Sequence, residues 1–154
     1  MTGLVMNKLL LIGLGTLSLI LLSLASLGFA TTDKETPYPQ DRINPDQISV
    51  QNNQFAVKNL TNLRFVKLKN AYSMYPVLAE GSHVIETTDF TKDSLKLGDI
   101  VSFQDTDNLI IHRILEVGND EQGWYVITKG DNNDLDDGKV RFDQLKGVVV
   151  AIIY

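Results

Sequence analysis

Three residue types capable of acyl-transfer chemistry occur in this chain in a suggestive order. Ser73 stands in "AYSMYPVLAEG", His112 in "LIIHRILEV", and several carboxylates crowd "TKGDNNDLDDG". A serine hydroxyl attacks a carbonyl well only when a neighbouring base takes its proton, and that base must itself be held in place. Pro76 biases Tyr75 away from helical geometry and removes a backbone donor, so Ser73 is expected on a bend with its hydroxyl facing outward.

The search for a base is short, because the chain has two histidines. His83 lies beside a turn in "EGSHVIE", reads as a surface or strand-edge residue, and is assigned no role. His112 falls mid-strand, with Ile110 and Ile114 on its face and Arg113, Ile111 and Leu115 on the other. An imidazole among isoleucines is costly unless its nitrogens are satisfied, so a hydrogen-bonded core histidine stands beside the catalytic reading. The acidic stretch from Thr128 to Gly138 reads either as a solvated Asn/Asp turn or as the source of an aspartate that orients His112. A calcium loop through Asn132, Asp134, Asp136 and Asp143 is disfavoured, because the glycine at the sixth place and the terminal glutamate are missing.

The elements that must position these groups are legible in outline. The 154 residues suffice for one modest domain. Leu9 to Ala30 is an uncharged apolar run of 22 residues, long enough to span a bilayer as a helix. Lys8 before the run and Asp33 after it favour a cytoplasmic N-terminus and an extracytoplasmic remainder. The ending "SLGFA" keeps a cleaved signal segment as the alternative. A membrane anchor over 1–30, contacting lipid, is therefore expected, followed by a Pro-containing linker over 31–47.

From about Ile48 short apolar runs alternate with Gly, Asn and Asp breaks, which predicts a mainly β domain over 48–154. Strands are expected in Leu63–Asn70, Ser82–Thr87, Asp99–Asp105, Leu109–Val117, Trp124–Gly130 and Gly147–Tyr154. No cysteine is present, which excludes disulfides and thiolate metal sites. A net charge of −5 without a basic patch argues against nucleic acid as a partner.

In this order "SMYP" with "LAEG", "LKLGDIVSF", "IIHRILEV" and "TKGDNNDLDD" resemble the type I signal peptidases. The likeness is to the archaeal and endoplasmic-reticulum kind, with histidine where the usual bacterial kind has lysine. It covers about Leu60 to Tyr154. The resemblance implies an all-β fold of coiled sheets behind one N-terminal membrane helix, with Ser73 as nucleophile and His112 as general base. It implies Asp137 as the orienting acid and Asp131 as a second important aspartate, favoured less for that role. No cofactor or metal is implied. The implied activity is a membrane-bound serine endopeptidase that removes signal peptides from exported preproteins, cutting after small residues of an Ala-X-Ala site. Implied partners are preprotein signal peptides, with a translocon or accessory subunits as further candidates.

The chain also departs from that pattern. Ala71 stands where many members carry a serine, which in the lysine kind looks like a side-chain donor to the oxyanion, so backbone N–H groups such as that of Ser73, or the side chain of Asn70, would take over. Tyr72 stands in place of a glycine and would be strained if the position requires positive φ. These departures support a rival: a membrane-anchored β domain that keeps the scaffold, has lost catalysis and acts as a binding or assembly module. A secreted structural β protein is the residual reading, and a self-cleaving repressor is disfavoured because no DNA-binding helix pair precedes the β domain.

Overall fold

The computed structural model describes residues 36–154. The expected anchor over 1–30 and the first part of the expected linker lie outside the described residues. Among the described residues no helix is long and apolar enough to cross a membrane.

The described chain is mainly β, and all its strand pairs are antiparallel. Its strands are β1 (Ile48–Gln51), β2 (Gln54–Val57), β3 (Leu63–Lys67), β4 (His83–Thr87), β5 (Ile100–Asp105), β6 (Asn108–Asp120), β7 (Gly123–Lys129), β8 (Lys139–Arg141) and β9 (Leu145–Ile153). Seven of them form one sheet in the order β3-β4-β9-β5-β6-β7-β8. The first two form a separate hairpin.

Six of the expected strands appear, with shifted ends. "LRFVKLKN" stops being a strand at Lys67, and the chain then turns toward Ser73. The β1–β2 hairpin escaped the sequence reading because its strands are short and largely exposed. Its turn is chemically explicit: Asn52 and Asn53 both take positive φ, 50° and 59°, as a two-residue hairpin loop of the I′ kind demands. The strand β8 is only "KVR" and has too little apolar pattern to announce itself.

The alternation expected along β6 sorts side chains into two cores. Ile110 and Ile114 pack with Val101, Phe103, Val126 and Val148. Ile111 packs on the other side with Leu68, Ala71, Met74, Leu78, Val84 and Ile100. Neighbouring residues of β5 and β9 also divide this way: Ile100 against Val101, Val149 against Val148. The central strands are thus buried on both faces, which is why they read as unbroken apolar runs rather than as alternating ones. Register shifts at Ile85/Glu86, Ser102/Phe103 and Ile114/Glu116 add local twist along the sheet.

Residues 36–44, expected as linker, are tied to this domain. Arg42 pairs with the carboxylate of Asp99, a residue 1% exposed, and donates to the Ser94 carbonyl at 2.9 Å. Gly98, at φ +89°, lets the Tyr38 carbonyl pass so close that any Cβ would overlap it, 1.9 Å away. Only a glycine satisfies both conditions.

At the far end of the β6–β7 hairpin, Asp120 accepts from Arg141 at 2.9 Å and from Lys139 at 2.7 Å. The Arg141 and Lys139 hydrogen bonds hold its carboxyl well below the usual carboxylate range. The same bonds push Lys139 and Arg141 up. The Tyr125 hydroxyl is raised because it donates to Glu116, 2.8 Å away.

Candidate active site

Ser73 occupies the middle of a single 3₁₀ turn, Tyr72–Met74. The turn forms because Ala71, Met74 and Leu78 are drawn into the second core, each almost fully buried, while Tyr72 and Tyr75 between them stay exposed. The N–H groups of Met74 and Tyr75 donate to the carbonyls of Ala71 and Tyr72. That of Tyr72 is directed at Asn70 Oδ1, at 3.5 Å. The Ser73 N–H stays outside these bonds of its own turn. Tyr72 is not among the residues of positive φ, so the strain expected there from the loss of a glycine does not arise.

His112 is 5% exposed and lies opposite Val101 in the β5–β6 register. Its Nε2 stands 3.0 Å from Ser73 Oγ and its Nδ1 2.7 Å from Asp137 Oδ2. An ionised carboxylate only accepts, so Nδ1 carries the proton and donates to Asp137. The Nε2 lone pair then accepts the Ser73 hydroxyl proton. The Asp137 side chain is 18% exposed and takes a second donor on the same oxygen, the Thr128 hydroxyl at 2.7 Å.

Asp131 sits elsewhere. Both its oxygens accept from Arg113, Oδ1 from Nε and Oδ2 from Nη2, each at 2.7 Å. The remaining Arg113 terminal nitrogen donates to the carbonyls of Gly98 at 2.9 Å and Pro37 at 3.3 Å. Side-chain exposures of 4% and 8% make this a buried ion pair. Asp131 is therefore hydrogen-bonded to Arg113 rather than to His112, and anchors the loop.

That loop is built to touch the serine turn. The Asn132 N–H donates to the Ser73 carbonyl at 2.8 Å, and the Asn132 side chain donates to the Tyr72 carbonyl at 3.1 Å. Gly130 makes the approach possible, since a Cβ there would lie 2.5 Å from the Ser73 carbonyl oxygen. Asn132 is thus committed to backbone recognition, Asp136 accepts from the Gly138 N–H, and Asp143 lies away in the Phe142–Gln144 turn. Among the described residues no group of three or more His, Cys, Asp or Glu side chains could hold a metal ion.

A cleft of about 640 Å³ opens beside Ser73 and His112. The chain from Val66 to Ala71 forms one wall and the start of β6, Asn108 to Ile111, another. Its lining is mixed: Val66, Leu68, Met74, Leu78, Ile110 and Ile111 are apolar, while Lys67, Lys69, Asn70, Asn108 and Asn133 add polar and charged groups. Because β3 is the terminal strand of the sheet, its outer edge has no strand partner among the described residues and adjoins this wall.

Sequence reasoning passed over Thr128 and Gly130. The glycine's signal is its place between a strand and an Asn/Asp turn. Thr128 gives no signal of its own, because a threonine in a strand is ordinary. No known protein-family model matches this chain, and no curated protein matches it significantly.

Proposed function

We propose that this chain is a serine endopeptidase of the type I signal peptidase kind, in its serine/histidine form, removing signal peptides from exported preproteins after small residues. The observation that carries the reading is the continuous path Ser73 Oγ to His112 Nε2, 3.0 Å, and His112 Nδ1 to Asp137 Oδ2, 2.7 Å, opening onto a cleft with a mixed apolar and polar lining. A buried histidine held only for stability has no need of a half-exposed serine on one nitrogen and an aspartate on the other. The mainly β, antiparallel architecture supports the reading at the level of fold class. The apolar run over Leu9 to Ala30 would place the enzyme at a membrane, with the peptidase domain on the extracytoplasmic side.

In the proposed reaction Ser73 Oγ attacks the scissile carbonyl as His112 Nε2 takes the hydroxyl proton. Asp137 stabilises the imidazolium without itself taking the proton. Collapse of the tetrahedral intermediate passes that proton to the leaving amine, and water, deprotonated in turn by His112, releases the acyl group. Ala71 offers no side-chain donor to the oxyanion, so the Ser73 N–H, which makes no hydrogen bond among the described residues, is assigned that task. The preprotein lies extended along the outer edge of β3, adding main-chain hydrogen bonds there.

The test is cleavage of a preprotein bearing an Ala-X-Ala site by membranes containing the full chain, beside Ser73→Ala and His112→Ala. The expected result is cutting after the final alanine by the unaltered chain alone, with each variant reduced by about 10⁶-fold, to background. A silent unaltered chain, under conditions where a known signal peptidase cuts, overturns the reading in favour of a binding or assembly module.

A further inference from the structure

The Asp137 carboxylate receives two donors on one oxygen: His112 Nδ1 and Thr128 Oγ1 both lie 2.7 Å from Oδ2. Thr128 is fully buried on β7, opposite Ile114 of β6. The same threonine also holds the backbone of the acid, because its carbonyl accepts the Asp137 N–H at 2.8 Å. One residue of a regular strand therefore grips an aspartate of an irregular loop at both ends, by main chain and by side chain.

We infer that Thr128 is a positioning residue for the catalytic acid, its hydroxyl fixing the Asp137 carboxylate so that Oδ2 faces the imidazole. This inference rests on the reading of Ser73, His112 and Asp137 as a catalytic group. The physical need is specific. A carboxylate that meets an imidazole through one bond can turn about its own side-chain torsions and present either oxygen. A second donor on the same oxygen, fixed to the sheet, removes that freedom. The hydroxyl can serve only as donor here, because the ionised carboxylate only accepts. Thr128 touches neither the serine nor the cleft, so its effect on reaction passes through Asp137 and His112.

Two substitutions in the full chain separate positioning from packing. Thr128→Val keeps the shape and removes the donor; Thr128→Ser keeps the donor and removes a methyl group. Two readouts are taken in detergent: cleavage kinetics on the Ala-X-Ala preprotein, and the low-field proton resonance of His112 Nδ1–H, identified by its loss in Asp137→Asn. Thr128→Val is expected to lower kcat by roughly 10- to 100-fold, the worth of one hydrogen bond to a charged group, with little change in KM. It should also shift or broaden the His112 resonance. Thr128→Ser should restore most of the rate and the resonance.

A Thr128→Val protein with unchanged resonance and rate overturns the inference. So does a Thr128→Ser protein as damaged as the valine variant, since the methyl group would then be the part that matters. Should the unaltered chain cut no preprotein, the functional proposal fails by itself, and the resonance alone decides whether Thr128 orders the Asp137 to His112 bond.

Discussion

Two consecutive residues of β6, His112 and Arg113, point to opposite faces and each meets an aspartate from the same loop, yet the two pairs are built differently. Arg113 is held by four hydrogen bonds: two to Asp131 and one each to the Gly98 and Pro37 carbonyls. A guanidinium stays protonated at any working pH, so this pair can carry no proton traffic. His112 keeps one nitrogen for Asp137 and offers the other to a hydroxyl, and an imidazole exchanges protons readily. The difference teaches that the loop does two jobs with one kind of side chain. One aspartate fixes where the loop lies, and the other is left partly open to serve a base.

The largest effect that would sharpen this contrast belongs to Asp137→Asn. It should lower turnover by about 10⁴-fold, as loss of the orienting acid does in a serine triad, while thermal stability stays near that of the unaltered chain. Cleavage kinetics and a melting curve on one preparation check it, and a large stability loss with little loss of turnover would erase the distinction between the two pairs.

Asp131→Ala should behave in the opposite sense. It strands a buried guanidinium, and such single-partner removals cost about 3–5 kcal/mol. Denaturant unfolding reads that loss directly. If Asp131→Ala left stability untouched, the anchoring role assigned to it would fail.

A third aspartate, half-buried and far from the site, supplies the reference. Asp120 faces Lys139 and Arg141 at the distant hairpin end, and its carboxyl lies below the ordinary range in the folded chain. A depressed folded-state pKa stabilises above the unfolded pKa, about 3.9 for aspartate, and that contribution is lost as pH falls below it. The melting temperature of Asp120→Asn should therefore lie slightly below that of the unaltered chain near neutrality, and the gap should close on acidification. A gap that widens in acid would reverse the sign assigned to this pair.

The parts of the site that the sequence displays are those whose chemistry is unusual for their surroundings. A histidine among isoleucines, a serine before Met-Tyr-Pro and an Asn/Asp cluster each stand out, and Ser73 and Asp137 each lie within hydrogen-bond distance of His112 in the fold. What stayed hidden depends on register and close approach. Nothing in "YVITKG" tells that the Thr128 hydroxyl meets Asp137, or that Gly130 must lack a Cβ so that the Ser73 carbonyl can come near. For the fold, strand-forming runs with strong apolar content were readable. The β1–β2 hairpin was not, because its strands bury little and leave a weak pattern. The stretch around Pro37 and Arg42 looked like a spacer, since its attachments come from backbone carbonyls and one ion pair rather than from apolar side chains.

That stretch also decides where the gene can be cut. The compact unit begins at Thr36, well upstream of Ile48, where strand-like sequence starts. A fragment started at Ile48 would leave Asp99 buried without its guanidinium and remove a carbonyl that helps satisfy Arg113, one residue from the histidine. Trimming what resembles a spacer would thus damage the candidate site from behind, and a recombinant fragment should keep everything from Thr36 onward.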